Sequence, residues 1–122
     1  MAVLTKEQIQ AADDRKPIKV SVPEWGGDVY VKIMSGRDRD AFESYRVLKP
    51  EGERMVDIRA HMVILTAVDE DGRPLFTMDD IGWITNKSAA ALDKIYEVSS
   101  EANGISEADI KELEKNSESV PN

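Results

Sequence analysis

The sequence predicts an α+β fold: a small β-hairpin packed on about five short α-helices, mostly helical. Three observations carry that reading. A helix-start spacing, Ser or Thr followed three residues later by Gln or Asp, recurs at Thr5/Gln8, Ser35/Asp38, Thr77/Asp80 and Ser106/Asp109. Between the first two starts the apolar period changes to two, with Ile18, Val20 and Val22 and then Val29, Val31 and Ile33 alternating with polar residues. After Ser35 the apolar residues return to helical spacing.

The first helix follows Thr5, with Leu4 and Ile9 placed as a hydrophobic staple across its cap. The two alternating runs flank PEWGG, where Gly26 and Gly27 allow positive φ, so Trp25 belongs at the hairpin tip or in the last pair before it. A charged helix over residues 37–47 puts Phe42 and Tyr45 on one side, and Arg39 takes the place of a staple residue. Residues 55–68 carry so wide an apolar stripe (Met55, Ile58, Met62 and Leu65, broadened by Val56, Val63, Ile64 and Val68) that this helix is expected at the centre, touched on several sides. The loop DEDGRP ends it. A short helix after Thr77, stapled by Phe76 and Ile81, carries Trp83. A long one from Ser88 packs through Ala91, Leu92, Ile95, Val98 and Ala102 and stops at Gly104. A last helix over 107–115, stapled by Ile105 and Ile110, has only Ala108, Ile110 and Leu113 to bury. The expected organisation is one globular domain over 1–116 and a frayed polar tail over 117–122.

Composition bounds the function. The 122 residues include no cysteine, which excludes disulfides, thiolate metal sites and cysteine nucleophiles and fits a reducing compartment. Hydrophobic residues at 41% and charged residues at 33% describe a folded, soluble chain. A net charge of −8 without a basic run argues against nucleic acid, whose phosphates need Lys and Arg. The run MVILTAV is too short to span a membrane, and MAVLTKEQIQ lacks the basic start and apolar core of a signal.

Chemistry-bearing patterns are sparse. DEDG fails as a calcium loop: counted from Asp69 its glycine, Gly72, falls at position four and not six, and counted back from the glycine, position one is Ala67. It reads as an acidic turn. His61, the single histidine, lies four residues after Asp57, the spacing of a surface or boundary pair. Adjacent acids such as Asp13–Asp14 and Asp79–Asp80 point about 100° apart on a helix and make poor acid–base dyads. No phosphate-binding loop is present, and no catalytic, cofactor-binding or metal-binding residue is predicted. Trp25 remains open between two readings, a lid over the end of a sheet too small to bury itself and a contact for a protein partner.

The order of segments resembles the tail assembly chaperone family of long-tailed (siphovirus-type) bacteriophages. The segments are VPEWGG at 22–27, SGRDRDAFE at 35–43, DEDGRPLFT at 69–77 and ISEADIKELEKNS at 105–117, spread over nearly the whole chain. The resemblance implies a non-enzymatic protein without cofactors. It would bind the tape measure protein, assist assembly of the tail tube protein around it, act in the host cytoplasm and be absent from the mature virion, with homo-oligomerisation open. It also implies a gene often read in two forms by a ribosomal frameshift near its end, for which the Lys115–Asn116 codons are the place to look. The alternative is a generic acidic protein-binding adaptor or regulatory module. Among the residues themselves, Trp25, Ile110 and Leu113 are the candidate partner contacts, the last two because a helix with so sparse a stripe gains little by folding back on the core.

Overall fold

In the computed structural model, which describes residues 3–105 and Glu112, the alternating runs pair as expected. Strand β1 (Ile18–Val22) and strand β2 (Gly27–Val31) are antiparallel, with Val20 opposite Val29 and Val22 opposite Gly27. Opposed residues share a face. Val20, Val22 and Val31 therefore turn inward and are buried, while Lys19 and Asp28 form an ion pair of 3.5 Å on the other face. The tip is a 3-10 turn, Pro23–Trp25, closed by Gly26 at φ 78°. Gly27 has no positive φ and begins β2, so only one of the two glycines serves the turn.

The hairpin is extended by a strand the periodicity did not announce. Helix α3 runs Ile58–Thr66, and Ala67–Val68 form β3, antiparallel to β2 in the order β1-β2-β3. The expected helix over 55–68 is thus shorter at both ends. At its start Asp57 adopts φ 59°, which breaks helical continuity and leaves Met55 and Val56 at 39% and 48% exposure. At its end the sheet captures the backbone: Lys32 N–H donates to the Thr66 carbonyl at 2.8 Å, and Leu75 N–H to that of Ala67 at 3.1 Å.

The remaining described helices are α1 (Lys6–Ala11), α2 (Gly36–Leu48), α4 (Ile81–Ile84, entered through a 3-10 turn at Met78–Asp80) and α5 (Ala89–Ala102). The expected capping boxes form at Thr5, Ser35 and Thr77. Phe76 and Ile81 pack against the core as a staple should. Leu4 and Ile9 do not: they stay 63% and 60% exposed, and no residue of α1 is buried. The helix expected over 107–115, with the Ser106 cap, and the polar tail lie outside the described residues.

Helix α3 is central. Ala60, Val63 and Ile64 join the inward strand residues and Ala91, Leu92 and Ile95 of α5 in one apolar cluster. Ile58 and Met62 join Met34, Phe42 and Ile105 in a second. A buried polar contact crosses between the helices: Thr66 Oγ1 donates to the Met62 carbonyl at 2.7 Å and lies 2.8 Å from Ser99 Oγ. Gly104, at φ 66°, ends α5 as expected. Just before it, Asn103 accepts from the Met34 N–H and from Arg39, tying the end of α5 to the segment between β2 and α2. Among the described residues no helix is long and apolar enough to cross a membrane.

Candidate functional site

Trp25 lies at one end of the sheet, half-buried against the first apolar cluster. Its turn is held down by Glu24, whose carboxylate accepts from Lys94 of α5 at 2.6 Å through both oxygens. That hydrogen bond keeps the Glu24 carboxyl below the usual carboxylate range. Packing against the core is what the lid reading requires. The burial is only partial, and it leaves one wall of a groove.

The groove has a volume of about 400 Å³ and is lined by Glu24, Trp25, Phe76, Trp83, Ile84 and Lys87. Three separate segments supply its aromatic rings. Phe76 and Trp83 meet edge to face, with centroids 5.7 Å apart and planes at 74°. The Trp83 indole N–H donates to Asp80 Oδ1 at 3.0 Å, and Lys87 lies 5.9 Å from the ring centroid. Asp80 closes the Thr77 cap at the same time, so the Thr77 N–H and the Trp83 indole both hold its carboxyl below its ordinary pKa. Trp83 is still 49% exposed, with Leu75 nearby in sequence at 46%. A fixed aromatic wall that remains half open suits an apolar side chain from another protein. Trp83 and Phe76 were read only as helix and staple residues. Their company with Trp25 is a tertiary fact.

The consequence for Trp25 is quantitative. Trp25→Ala is expected to destabilise the domain by about 2 kcal/mol, less than for a fully buried ring, because only part of its surface is withdrawn from water. Chemical denaturation checks this; an unchanged midpoint would make Trp25 a contact residue alone.

A second polar feature corrects the reading of His61. It is buried at 3% exposure and does not pair with Asp57, whose Oδ1 accepts from Thr85 at 2.7 Å. Its Nδ1 accepts instead from Arg46 Nε at 3.1 Å. Arg46 is itself 1% exposed and donates through Nη1 to the carbonyls of Val56 and Arg54 at 2.7 and 3.2 Å. Phe42 and Tyr45 pack against the imidazole at tilts of 31° and 52°, with centroids 5.1 and 4.5 Å away. Burial, with the Arg46 charge beside it, pushes the His61 pKa down to about 4, so the ring is a neutral acceptor. This arrangement closes the loop after α2 onto α3; it has the makings of a structural clasp.

Among the described residues no group of three or more His, Asp or Glu is placed to hold a metal ion. The acids of DEDG serve the turn: Asp69 Oδ1 accepts from the N–H groups of Asp71 and Arg73 at 2.8 and 2.9 Å. Ile110 and Leu113 lie outside the described residues.

Scanned against protein-family models and against curated proteins, the sequence gives no significant match. Solved structures do. The structure of the bacteriophage HK97 tail assembly chaperone superposes with a TM-score of 0.56 at 20% identity, over 79% of this chain and 90% of the other. The chain has the fold of a phage tail assembly chaperone. The likeness takes in most of both chains, so the shared unit is the sheet with its helices and not one local motif.

Proposed function

We propose that this protein is a tail assembly chaperone of a long-tailed bacteriophage. In this reading it is a non-catalytic protein that binds the tape measure protein and assists assembly of the tail tube around it. It acts in the host cytoplasm and does not remain in the mature virion. The observation that carries the reading is the fold shared with the HK97 chaperone over 90% of that chain. The order of VPEWGG, SGRDRDAFE and DEDGRPLFT along the sequence supports it independently. The physical character is suitable. A tape measure is long, helical and prone to aggregate, and an acidic partner of net charge −8 would keep the complex in solution while apolar surfaces cover the cargo.

Co-expression tests it. The tape measure protein made with this chain is expected to gain soluble fraction and to co-purify with it, and the association to weaken as salt rises, because charge attraction is screened. Ile110 and Leu113 are the proposed contacts outside the described residues. Changing both to Asp is expected to abolish co-purification while circular dichroism stays unchanged. A wild-type chain that neither solubilises nor retains the tape measure, at low as well as physiological salt, would overturn the chaperone reading and leave the acidic adaptor.

A further inference from the structure

We propose that the sheet face turned away from the helices is a docking surface for an amphipathic helix of a partner protein, one that carries lysine or arginine beside its apolar stripe. The proposal stands apart from the chaperone reading, which co-expression tests separately. It begins from a sheet covered on one side only. Val20, Val22, Val31 and Ala67 point into the apolar cluster shared with α3 and α5. The registers Lys19 opposite Tyr30 and Tyr30 opposite Val68 place these three side chains on the other face. Val68 is 1% exposed, yet it belongs to neither apolar cluster. It lies instead with Tyr30 and Leu75 in a groove of about 430 Å³. Among the described residues, only the strands and the segment after β3 line this groove; no helix does.

The shape suits a helix. An apolar sheet face is buried by laying a helix or a second sheet on it. Three strands about 4.8 Å apart make this face roughly 10 Å wide, the diameter of an α-helix. The edge at β3 is already paired, through the bridge from Val68 to Pro74, so a partner comes to the face and not to this edge. Leu75 stands at the border of the groove and is 46% exposed, although its N–H is tied to the Ala67 carbonyl at 3.1 Å. Its backbone is thus fixed before anything binds, which lowers the cost of ordering it at an interface.

Charge selects the occupant. Asp28, Asp69 and Glu70 rim the groove, and Lys19 is the one cation that lines it. Lys19 and Asp28 offset each other at 3.5 Å. Asp69 Oδ1 accepts from the N–H groups of its own turn, which holds the carboxylate in place without cancelling its charge. Glu70 is exposed and forms no ion pair among the described residues. Arg73, in the same turn, does not line the groove. The rim therefore keeps an excess of carboxylate. Lysine and arginine can lay their aliphatic stems along the apolar floor and reach it with their charged ends. An acidic helix would be repelled by the same groups.

Titrating the full chain with a fluorescein-labelled peptide of about 18 residues, lysine and leucine at amphipathic helical spacing, tests the docking. Binding is expected at low salt and should weaken as salt rises. In the NMR spectrum of the chain the amide signals of Lys19, Tyr30, Val68 and Leu75 should move, and that of Trp83 should not. Asp28→Lys with Glu70→Lys should weaken binding roughly tenfold or more and should let the chain take the matching glutamate–leucine peptide. Glu51→Lys with Glu53→Lys changes the net charge equally, in the loop between α2 and α3 and outside the groove, and should weaken binding far less. Leu75→Ala, at a half-exposed position, should weaken it several-fold and leave the salt dependence unchanged. A wild type that ignores the lysine peptide at low salt would overturn the proposal. So would equal losses in the two charge variants, or signals that move at the aromatic groove instead of the sheet face. If the Asp28 and Glu70 variant fails to fold, Leu75→Ala decides, and an unchanged affinity there rejects the sheet face.

Discussion

Arg46→Ala is expected to destabilise the domain by about 3–4 kcal/mol, more than any surface arginine would. The guanidinium donates to three acceptors, His61 Nδ1 and the carbonyls of Arg54 and Val56. Alanine removes this donor from all three and opens a space beside the rings of Phe42 and Tyr45, over which the guanidinium carbon lies at 5.9 and 5.4 Å. Against this stands the desolvation of a cation, which lowers the Arg46 pKa, and an Nη2 that is buried with no partner among the described residues. Arg46→Met separates the contributions, since it keeps the volume and removes charge and donors together. About 1–2 kcal/mol is expected there, because the lost hydrogen bonds are partly offset by the relief of desolvation. Urea denaturation of both variants measures the difference. Equal, small losses would mean that the clasp contributes little beyond packing.

Acid is expected to weaken the same clasp. His61 titrates near 6.5 when exposed and near 4 in the fold, so folding favours the neutral ring. Its contribution is fully present above pH 6.5. It is lost as pH falls through 4, because the unfolded chain takes up the proton first. The difference of about 2.5 units corresponds to about 3 kcal/mol. Thermal denaturation from pH 7.5 to pH 4 should show this decline, and His61→Gln should flatten it, whatever its own stability. The carboxyls of Glu24 and Asp80, held below their ordinary values by hydrogen bonds from Lys94 and from Thr77 and Trp83, contribute above the ordinary carboxylate range and lose that contribution as pH falls through their lowered values.

The boundaries of the fold were legible where a local interaction fixes them. The capping boxes at Thr5, Ser35 and Thr77 depend on residues three apart, and each forms. The hairpin depends on alternation and one turn glycine. Strand β3 was hidden because Ala67 and Val68 close an apolar run, where helix and strand leave the same pattern. The clasp was hidden for a different reason. An arginine on a charged helix reads as surface, although Arg46 follows Phe42 by four residues and so shares its buried face. His61, too, sits within the apolar run of α3, a better sign of its surroundings than the acid four residues before it. The aromatic groove could not be read at all, since Trp25, Phe76 and Trp83 come from three segments and meet only in the folded molecule.

The place of α3 between two apolar clusters also governs how the domain can come apart. Ala60, Val63 and Ile64 serve the sheet side, and Ile58 and Met62 serve the α2 side, so each side uses the same helix as its floor. Withdrawing the sheet or α2 strips one flank of α3 and undermines the other, so the two flanks are expected to lose structure together. Among the described elements only α1 stands outside this shared interior. Within the described residues, a partner therefore meets either this finished surface or the exposed α1.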